Sequence, residues 1–401
     1  MKDPRADLEA RRRLHLYRER GVSDGPAGPR RRWNGREVLS FCSNDYLGLA
    51  ADARVIEAGV RGLRRYGVGA GASCLVNGYT AAHRELEEGL AAFLSRERAL
   101  LFASGYMANL GVIATLAGRT SHLFEDRLNH ASLLDAGVLS RARLHRYPHR
   151  DTAFLRAQLR GLDDCVVASD AVFSMDGDLA PLGELAALCA DAGALLVVDD
   201  AHGIGVLGDS GAGATELAGL GQREAPLLVG TLGKAFGVCG AFAAGSAEWI
   251  EALVQHARTY LYTTAPPPAL ACAAAESLNL VRGEGWRRRK LLEHVALFRR
   301  LAGQAGLACL PSETPIQGIV TGSAEAALAL SRALLDDGLH VAAIRPPTVP
   351  EGGARLRITL SAAHTPGEIE RLVESLARHV GRVVGEAAGD SAGRAVGESV
   401  E

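Results

Sequence analysis

Leu227-Leu-Val-Gly-Thr-Leu-Gly-Lys234-Ala-Phe-Gly237 sets an apolar run against a single amine. Leu227 to Val229 reads as a buried strand. Gly-Thr-Leu-Gly then carries little side-chain bulk and delivers Lys234 to the place where the open ends of strands in α/β sheets hold ligands. Desolvation at that place lowers the pKa of a lysine and leaves its amine nucleophilic. A phosphate-cradling P-loop is excluded, because Leu228 stands where that motif has glycine and Ala235 where it has Ser or Thr. A solvated loop lysine is the plain alternative, and this stretch alone leaves it open.

Ala194-Leu-Leu-Val-Val-Asp199-Asp200-Ala-His202-Gly is another apolar strand, with acids at its carboxyl end. A buried aspartate is costly unless a cation or a hydrogen-bond donor meets it. A strand-end Asp, followed further along by a strand-end Lys, suits pyridoxal phosphate. The aldehyde of that cofactor forms a Schiff base with the lysine, and the aspartate holds the pyridinium nitrogen protonated. Two unrelated loop residues are the alternative.

The chain has 401 residues, 48% hydrophobic and 22% charged, enough for a large core and for two or more domains. A net charge of −2 offers nucleic acid no strong attraction. The seven cysteines are scattered, without C-x-x-C or zinc-like pairing, so no metal site is expected and a reducing compartment is. Met1-Lys-Asp-Pro-Arg-Ala-Asp has acids and no apolar core, unlike a secretory signal. The longest apolar stretch, Thr259 to Ala275, is broken by Pro266, Pro267 and Pro268. These features predict a soluble cytoplasmic protein.

Residues 1–36 carry 11 Lys and Arg against 5 Asp and Glu. Leu8 to Arg20 has a weak helical pattern, and its arginines are either a solvated face or a handle for an anionic substrate. The glycine-rich Tyr66 to Ser73 reads as a close-approach loop, without the strand and downstream acid of a dinucleotide site. Thr80 to Ser95 is an amphipathic helix with Thr80 as N-cap. Strands at Ala99 to Phe102, His122 to Glu125 and Cys165 to Ser169, then those ending near Asp199 and Lys234, alternate with helices. That order predicts right-handed crossovers and a mostly parallel sheet with helices on both faces. After about residue 280 a smaller α/β domain is expected: a helix from Trp286, strands Ile316 to Val320 and Arg355 to Leu360, and helices Ala324 to Leu335 and from Pro366. The expected division is 1–36 basic helical segment, 37–280 large domain, 281–382 small domain, and 383–401 a Gly-, Ala-, Ser- and Glu-rich tail without periodicity.

Ser104-Gly105-Tyr106, directly after a strand, supplies backbone N–H donors for a phosphate, although an ordinary strand-to-helix turn has the same features. The Thr231 hydroxyl, three residues before Lys234, is within the same reach. His130 opens a helix after a strand and can stack on a flat cofactor. Ser174 and His202 can each bond its phenolic oxygen.

Six stretches occur in order: Asn44-Asp-Tyr-Leu-Gly, Ser104-Gly-Tyr-Met-Ala-Asn109, Asn129-His-Ala-Ser, Phe173-Ser-Met-Asp-Gly-Asp178, Val198-Asp-Asp-Ala-His-Gly203 and Thr231-Leu-Gly-Lys-Ala-Phe-Gly237. Together they resemble the α-oxoamine synthases, fold-type-I pyridoxal-phosphate enzymes that condense an amino acid with an acyl thioester and release carbon dioxide. Within that family, Ile344-Arg-Pro-Pro-Thr348 followed by Ala354 to His364 resembles the branch that joins L-alanine to a pimeloyl thioester, and the glycine-using branches lack the run. A sibling using glycine or another acyl-CoA is the alternative.

The resemblance implies that Lys234 forms the Schiff base, with His130 and Asp199 acting beside it. It implies cofactor contacts at Gly105, Tyr106, Ser174, Asp199, His202 and Thr231, the family often having Phe at the position of Tyr106. It implies substrate contacts at Arg18, Asn44, His130, Thr348 and Arg357, the last for the amino-acid carboxylate. It also implies pimeloyl-CoA or pimeloyl-acyl-carrier protein as donor, and a homodimer with sites at the subunit interface, across which Tyr262-Thr263-Thr264 reaches the partner's phosphate.

Overall fold

A computed structural model of the chain describes residues 3–397, with side chains as far as Gly381. Two compact units divide it: Met1–Tyr46 with Met175–Asp178 and Lys290–Glu401, and Leu47–Ser174 with Leu179–Arg289. The division thus falls at 47 and 290, where the sequence suggests 37 and 281, and the basic N-terminal segment joins the C-terminal unit. Strand pairing across the ends of the chain accounts for this, as described below.

The first helix is Pro4–Arg13, with Asp3 as N-cap accepting from the Arg5 N–H at 2.9 Å and Pro4 in the first turn. It lies earlier than the predicted Leu8 to Arg20. None of its residues is buried, so no apolar face carries the helix onward. His15 has φ 57, and Arg18 stands in non-helical chain. Strands β1 (Ser23–Asp24), β2 (Arg30–Trp33) and β3 (Arg36–Ser40) follow as an antiparallel meander. Asn34 and Gly35, at φ 48 and 79, make the two-residue turn between β2 and β3.

Seven strands build the sheet of the larger unit: β4 (Arg98–Phe102), β5 (His122–Asp126), β6 (Arg143–Tyr147), β7 (Cys165–Asp170), β8 (Leu195–Asp199), β9 (Leu227–Thr231) and β10 (Ala241–Gly245). Their order is β4-β10-β9-β8-β7-β5-β6, and β10 alone runs antiparallel to the rest. Every residue of β7 and β10 is buried, as expected for a sheet covered on both faces. Ala108, Val112 and Ile113 of the helix Gly105–Leu116 share one apolar cluster with Leu123, Val166, Val197 and Val229 of the sheet. Each such buried Val, Leu or Ile contributes roughly 1.5–3 kcal/mol. The parallel strands bring their carboxyl ends to one edge, where Asp170 and Asp199 are register partners.

Thr80 caps the helix Ala81–Phe93, its N–H donating to His83 Nδ1 at 3.0 Å. In the loop Tyr66 to Ser73 the close approach is at Ala72, whose carbonyl accepts from the Ala265 N–H at 2.9 Å, and not at the glycines: a Cβ built at Gly67, Gly69 or Gly71 meets no described atom within 4 Å. Gly67 and Gly71 instead supply φ of 82 and 77.

In the other unit, β11 (Ile316–Gly322), β13 (Ala342–Ile344) and β14 (Ala354–Thr359) form an antiparallel sheet in the order β11-β14-β13. The short β12 (Leu339–His340) pairs in parallel with β3, which ties the N-terminal meander to this unit. Met175–Asp178 is held here as well. The Gly177 carbonyl accepts from Ser312 Oγ at 2.8 Å and Thr314 Oγ1 at 3.0 Å, and Arg355 pairs with Asp176. The last helix is Pro366–Gly397, so its backbone enters the segment from 383 that the sequence sets apart as a tail. The side chains beyond Gly381 and residues 398–401 lie outside the described residues, and the expectation for the tail with them. Among the described residues no helix is long and apolar enough to cross a membrane.

Gly237, three residues after Lys234, has φ 66, and a Cβ there would stand 2.3 Å from the Ala50 backbone nitrogen. Neither the left-handed backbone nor the neighbouring main chain can yield easily. Gly237→Ala is therefore expected to cost about 1–3 kcal/mol, read as a lower urea midpoint at unchanged m-value. An unchanged midpoint contradicts this packing.

Candidate active site

Three strand ends and two helix starts frame one pocket of about 200 Å³ in the larger unit. β7 supplies Asp170, β8 supplies Asp199, and β9 supplies Thr231 with Lys234 beyond it. The helix Gly105–Leu116 brings Gly105, Tyr106 and Asn109. His130, the N-cap of the helix Ala131–Ser140, adds its imidazole, and Ser174 and His202 complete the wall. Residues 105 to 234 of the linear chain thus meet in one cleft.

Ser104 caps the first of these helices, its Oγ accepting from the Met107 N–H at 3.3 Å. A Cβ built at Gly105 would meet no described atom within 4 Å, so the glycine leaves the helix start open to a ligand. The N–H groups and dipole of that helix start suit a phosphate. The Tyr106 hydroxyl donates to Asp135, which raises the pKa of the phenol and sets the ring direction. Thr231 lines the pocket, with its hydroxyl donating to the Gly240 carbonyl at 3.1 Å and accepting from the Gly233 N–H at 3.1 Å.

Asp199 is buried and fully engaged on the protein side. Its Oδ2 accepts from Asn109 Nδ2 at 2.6 Å and its Oδ1 from the Ala201 N–H at 3.0 Å. Asp170 accepts from the His130 N–H at 2.9 Å. Burial, with Asp199 adjacent, holds the Asp170 carboxyl well above the usual carboxylate range. Burial also holds the His130 ring below its ordinary pKa, against the pull of Asp199. Lys234 is half-buried and acts electrostatically on both His130 and Asp170.

All eight residues expected at the cofactor or in catalysis therefore line this pocket. Five further residues line it, Val172 and Ala201 and three with polar side chains that the sequence does not single out: Asn109, Ser132 and Asp170. Asn109 and Ser132 stand inside the quoted Ser-Gly-Tyr-Met-Ala-Asn and Asn-His-Ala-Ser stretches, and Asp170 directly follows the predicted strand. Apart from His130, the expected substrate residues belong to the other unit, where they form two pairs. Arg18 Nη2 donates to Thr348 Oγ1 at 3.2 Å. Arg357 donates through both Nη atoms to Asn44 Oδ1 at 3.2 Å, and through Nη1 to Thr359 Oγ1 at 3.0 Å. Arg345 is turned to the His15 and Tyr17 carbonyls.

The sequence pattern of the family "aminotransferase class I and II" matches residues 36–376. An 8-amino-7-oxononanoate synthase of Thioalkalivibrio sulfidiphilus (strain HL-EbGR7) is 57% identical over 94% of this chain and 96% of its own. A serine palmitoyltransferase from S. paucimobilis, solved with a pyridoxal phosphate–myriocin adduct, superposes with TM-score 0.89 at 30% identity, over 95% of this chain and 97% of that one. An 8-amino-7-oxononanoate synthase from Francisella tularensis superposes with TM-score 0.76 at 32% identity, over 86% and 98%. With the family pattern matched over residues 36–376 and a relative 57% identical over 94% of the chain, the chain belongs to the class I and II aminotransferase family, within its group of 8-amino-7-oxononanoate synthases.

Proposed function

We propose that this chain catalyses the pyridoxal-phosphate-dependent condensation of L-alanine with a pimeloyl thioester, on CoA or acyl-carrier protein. The products are 8-amino-7-oxononanoate, carbon dioxide and the free thiol, in biotin synthesis. The observation that carries the reading is the meeting of Lys234, Asp199 and His130 in one pocket of a chain 57% identical to such a synthase.

The residues present fit the cofactor. Asp199 is a buried acid whose protein-side bonds leave lone pairs for a ring nitrogen, Gly105 opens a helix start to phosphate, and Lys234 supplies an amine. When bound, pyridoxal phosphate supplies an aldehyde that reacts with amines and a ring that accepts the electron pair released at Cα. Lys234 Nζ holds the cofactor and then takes and returns the Cα proton of alanine. Asp199 keeps a proton on the ring nitrogen. His130, which lines the same pocket, would lie against the cofactor and meet the substrate. Gly105, Tyr106, Ser174, His202 and Thr231 hold the cofactor in place. Arg357, with Asn44, takes the alanine carboxylate, and Arg18 and Thr348 take the acyl donor.

A homodimer accompanies this reading. Val68, Val76 and Tyr262 are 81%, 79% and 73% exposed, apolar side chains that a partner subunit would cover. Seven free cysteines suit a reducing cytoplasm.

Removing Lys234 removes both the attachment point and the base. Lys234→Ala is expected to fold and to lose turnover by several orders of magnitude. Borohydride reduction of the wild-type holoenzyme should leave a cofactor-sized mass on the peptide carrying Lys234, and a mass on a different lysine refutes the assignment.

Asp199→Asn keeps the shape and removes the charge. Loss of a charge-assisted bond worth roughly 1.5–3 kcal/mol should weaken cofactor binding about ten-fold or more. Equal dissociation constants for wild type and variant would show that Asp199 makes no such pair.

Arg18→Ala should raise the KM for the acyl thioester about ten-fold or more, on the same magnitude, and leave the alanine-driven spectral change nearly intact. Arg18→Lys should recover part of the loss. If Arg18 merely solvates the N-terminal segment, steady-state kinetics at saturating alanine will show no change.

A further inference from the structure

Two residues without an assigned role join Asp199 to His130. Asn109 Nδ2 donates to Asp199 Oδ2 at 2.6 Å and to Ser132 Oγ at 2.8 Å. Asp199, as a carboxylate, accepts only, so the Asn109 amide must face it with its NH2 group, and both amide hydrogens are used. Ser132 Oγ lies 2.7 Å from His130 Nδ1, and the Ser132 backbone N–H donates to the same Nδ1 at 3.2 Å. A nitrogen that receives an N–H bond carries no proton of its own. The Ser132 hydroxyl accepts from Asn109 and therefore gives its hydrogen to Nδ1. The direction of each bond is then set, from the amide to the hydroxyl to the ring, and the ring proton sits on Nε2.

We infer that Asn109 and Ser132 are positioning residues that hold His130 as the neutral Nε2–H tautomer and tie that state to the Asp199 carboxylate. His130 then offers the substrate a hydrogen-bond donor and cannot act as a base at Nδ1, because a proton there would face two donors. The inference rests on the reading that His130 meets the substrate.

The surroundings agree with a neutral ring. Burial lowers the pKa of His130. Asp199 from β8 and Asp135 from its own helix pull it upward, while Lys234, beyond β9, pushes it down. Asp170 at the end of β7 is engaged by the His130 backbone N–H and not by the ring. Asn109, Ser132 and Asp199 are all buried, so water does not compete for these bonds.

The experiment uses holoenzyme labelled with 15N-histidine, the ring signals of His130 being assigned by their loss in His130→Ala. Wild type should show an unprotonated Nδ1 and a protonated Nε2 through the neutral range. Ser132→Ala should give mixed tautomers and move the acidic limb of kcat/KM for alanine upward by about half a pH unit or more. Ser132→Thr, which keeps the hydroxyl, should restore both. A proton on Nδ1 in wild type overturns the inference, even if a variant fails to fold. So does a Ser132→Ala enzyme with unchanged ring shifts and pH profile. If His130→Ala leaves the kinetics with alanine unchanged, the substrate role of His130 falls by itself, because the ring shifts report the tautomer whatever the substrate does.

Discussion

A carboxylate at the end of a buried strand is the constraint on which the site depends. Asp199 could not remain there uncompensated, since an isolated buried charge costs many kcal/mol. The chain meets it with two short donors, the Asn109 amide and the Ala201 N–H. Neither is a cation, so the carboxylate keeps its charge available for a ring nitrogen. A lysine or arginine at the same place would neutralise the acid.

The fold follows from this in a simple way. Parallel strands end together, and the helices that cover them begin at the same edge. β7, β8 and β9 therefore bring Asp170, Asp199 and Thr231 side by side, and the helices Gly105–Leu116 and Ala131–Ser140 begin at the pocket they line. Each helix start is capped by its own sequence, Ser104 for one and His130 for the other. The same His130 thus ends a turn, starts a helix and presents a ring to the pocket.

The parts of this that were legible in the sequence are those carried by apolar runs. β8 and β9 are near-continuous Leu and Val, and their ends point to Asp199 and Lys234 directly. β10, Ala-Phe-Ala-Ala-Gly, escaped because small residues have little strand propensity, and only its full burial between β4 and β9 makes it a strand. β6, Arg-Leu-His-Arg-Tyr, is a polar edge strand without the apolar run that marks the others. The N-terminal helix was misplaced because exposed residues carry no periodic signal. Asn109, Ser132 and Asp170 were hidden for a different reason. Their importance lies in hydrogen bonds to residues tens of positions away, and neither composition nor spacing reports such bonds.

Whether this geometry joins alanine to a pimeloyl thioester is decided by the identity of the product. Purified holoenzyme incubated with alanine or glycine and pimeloyl, acetyl or succinyl thioesters should yield, by mass spectrometry, 8-amino-7-oxononanoate from alanine and pimeloyl thioester well above every other pairing. A dominant product from glycine, or from a shorter acyl donor, would assign the chain a different condensation.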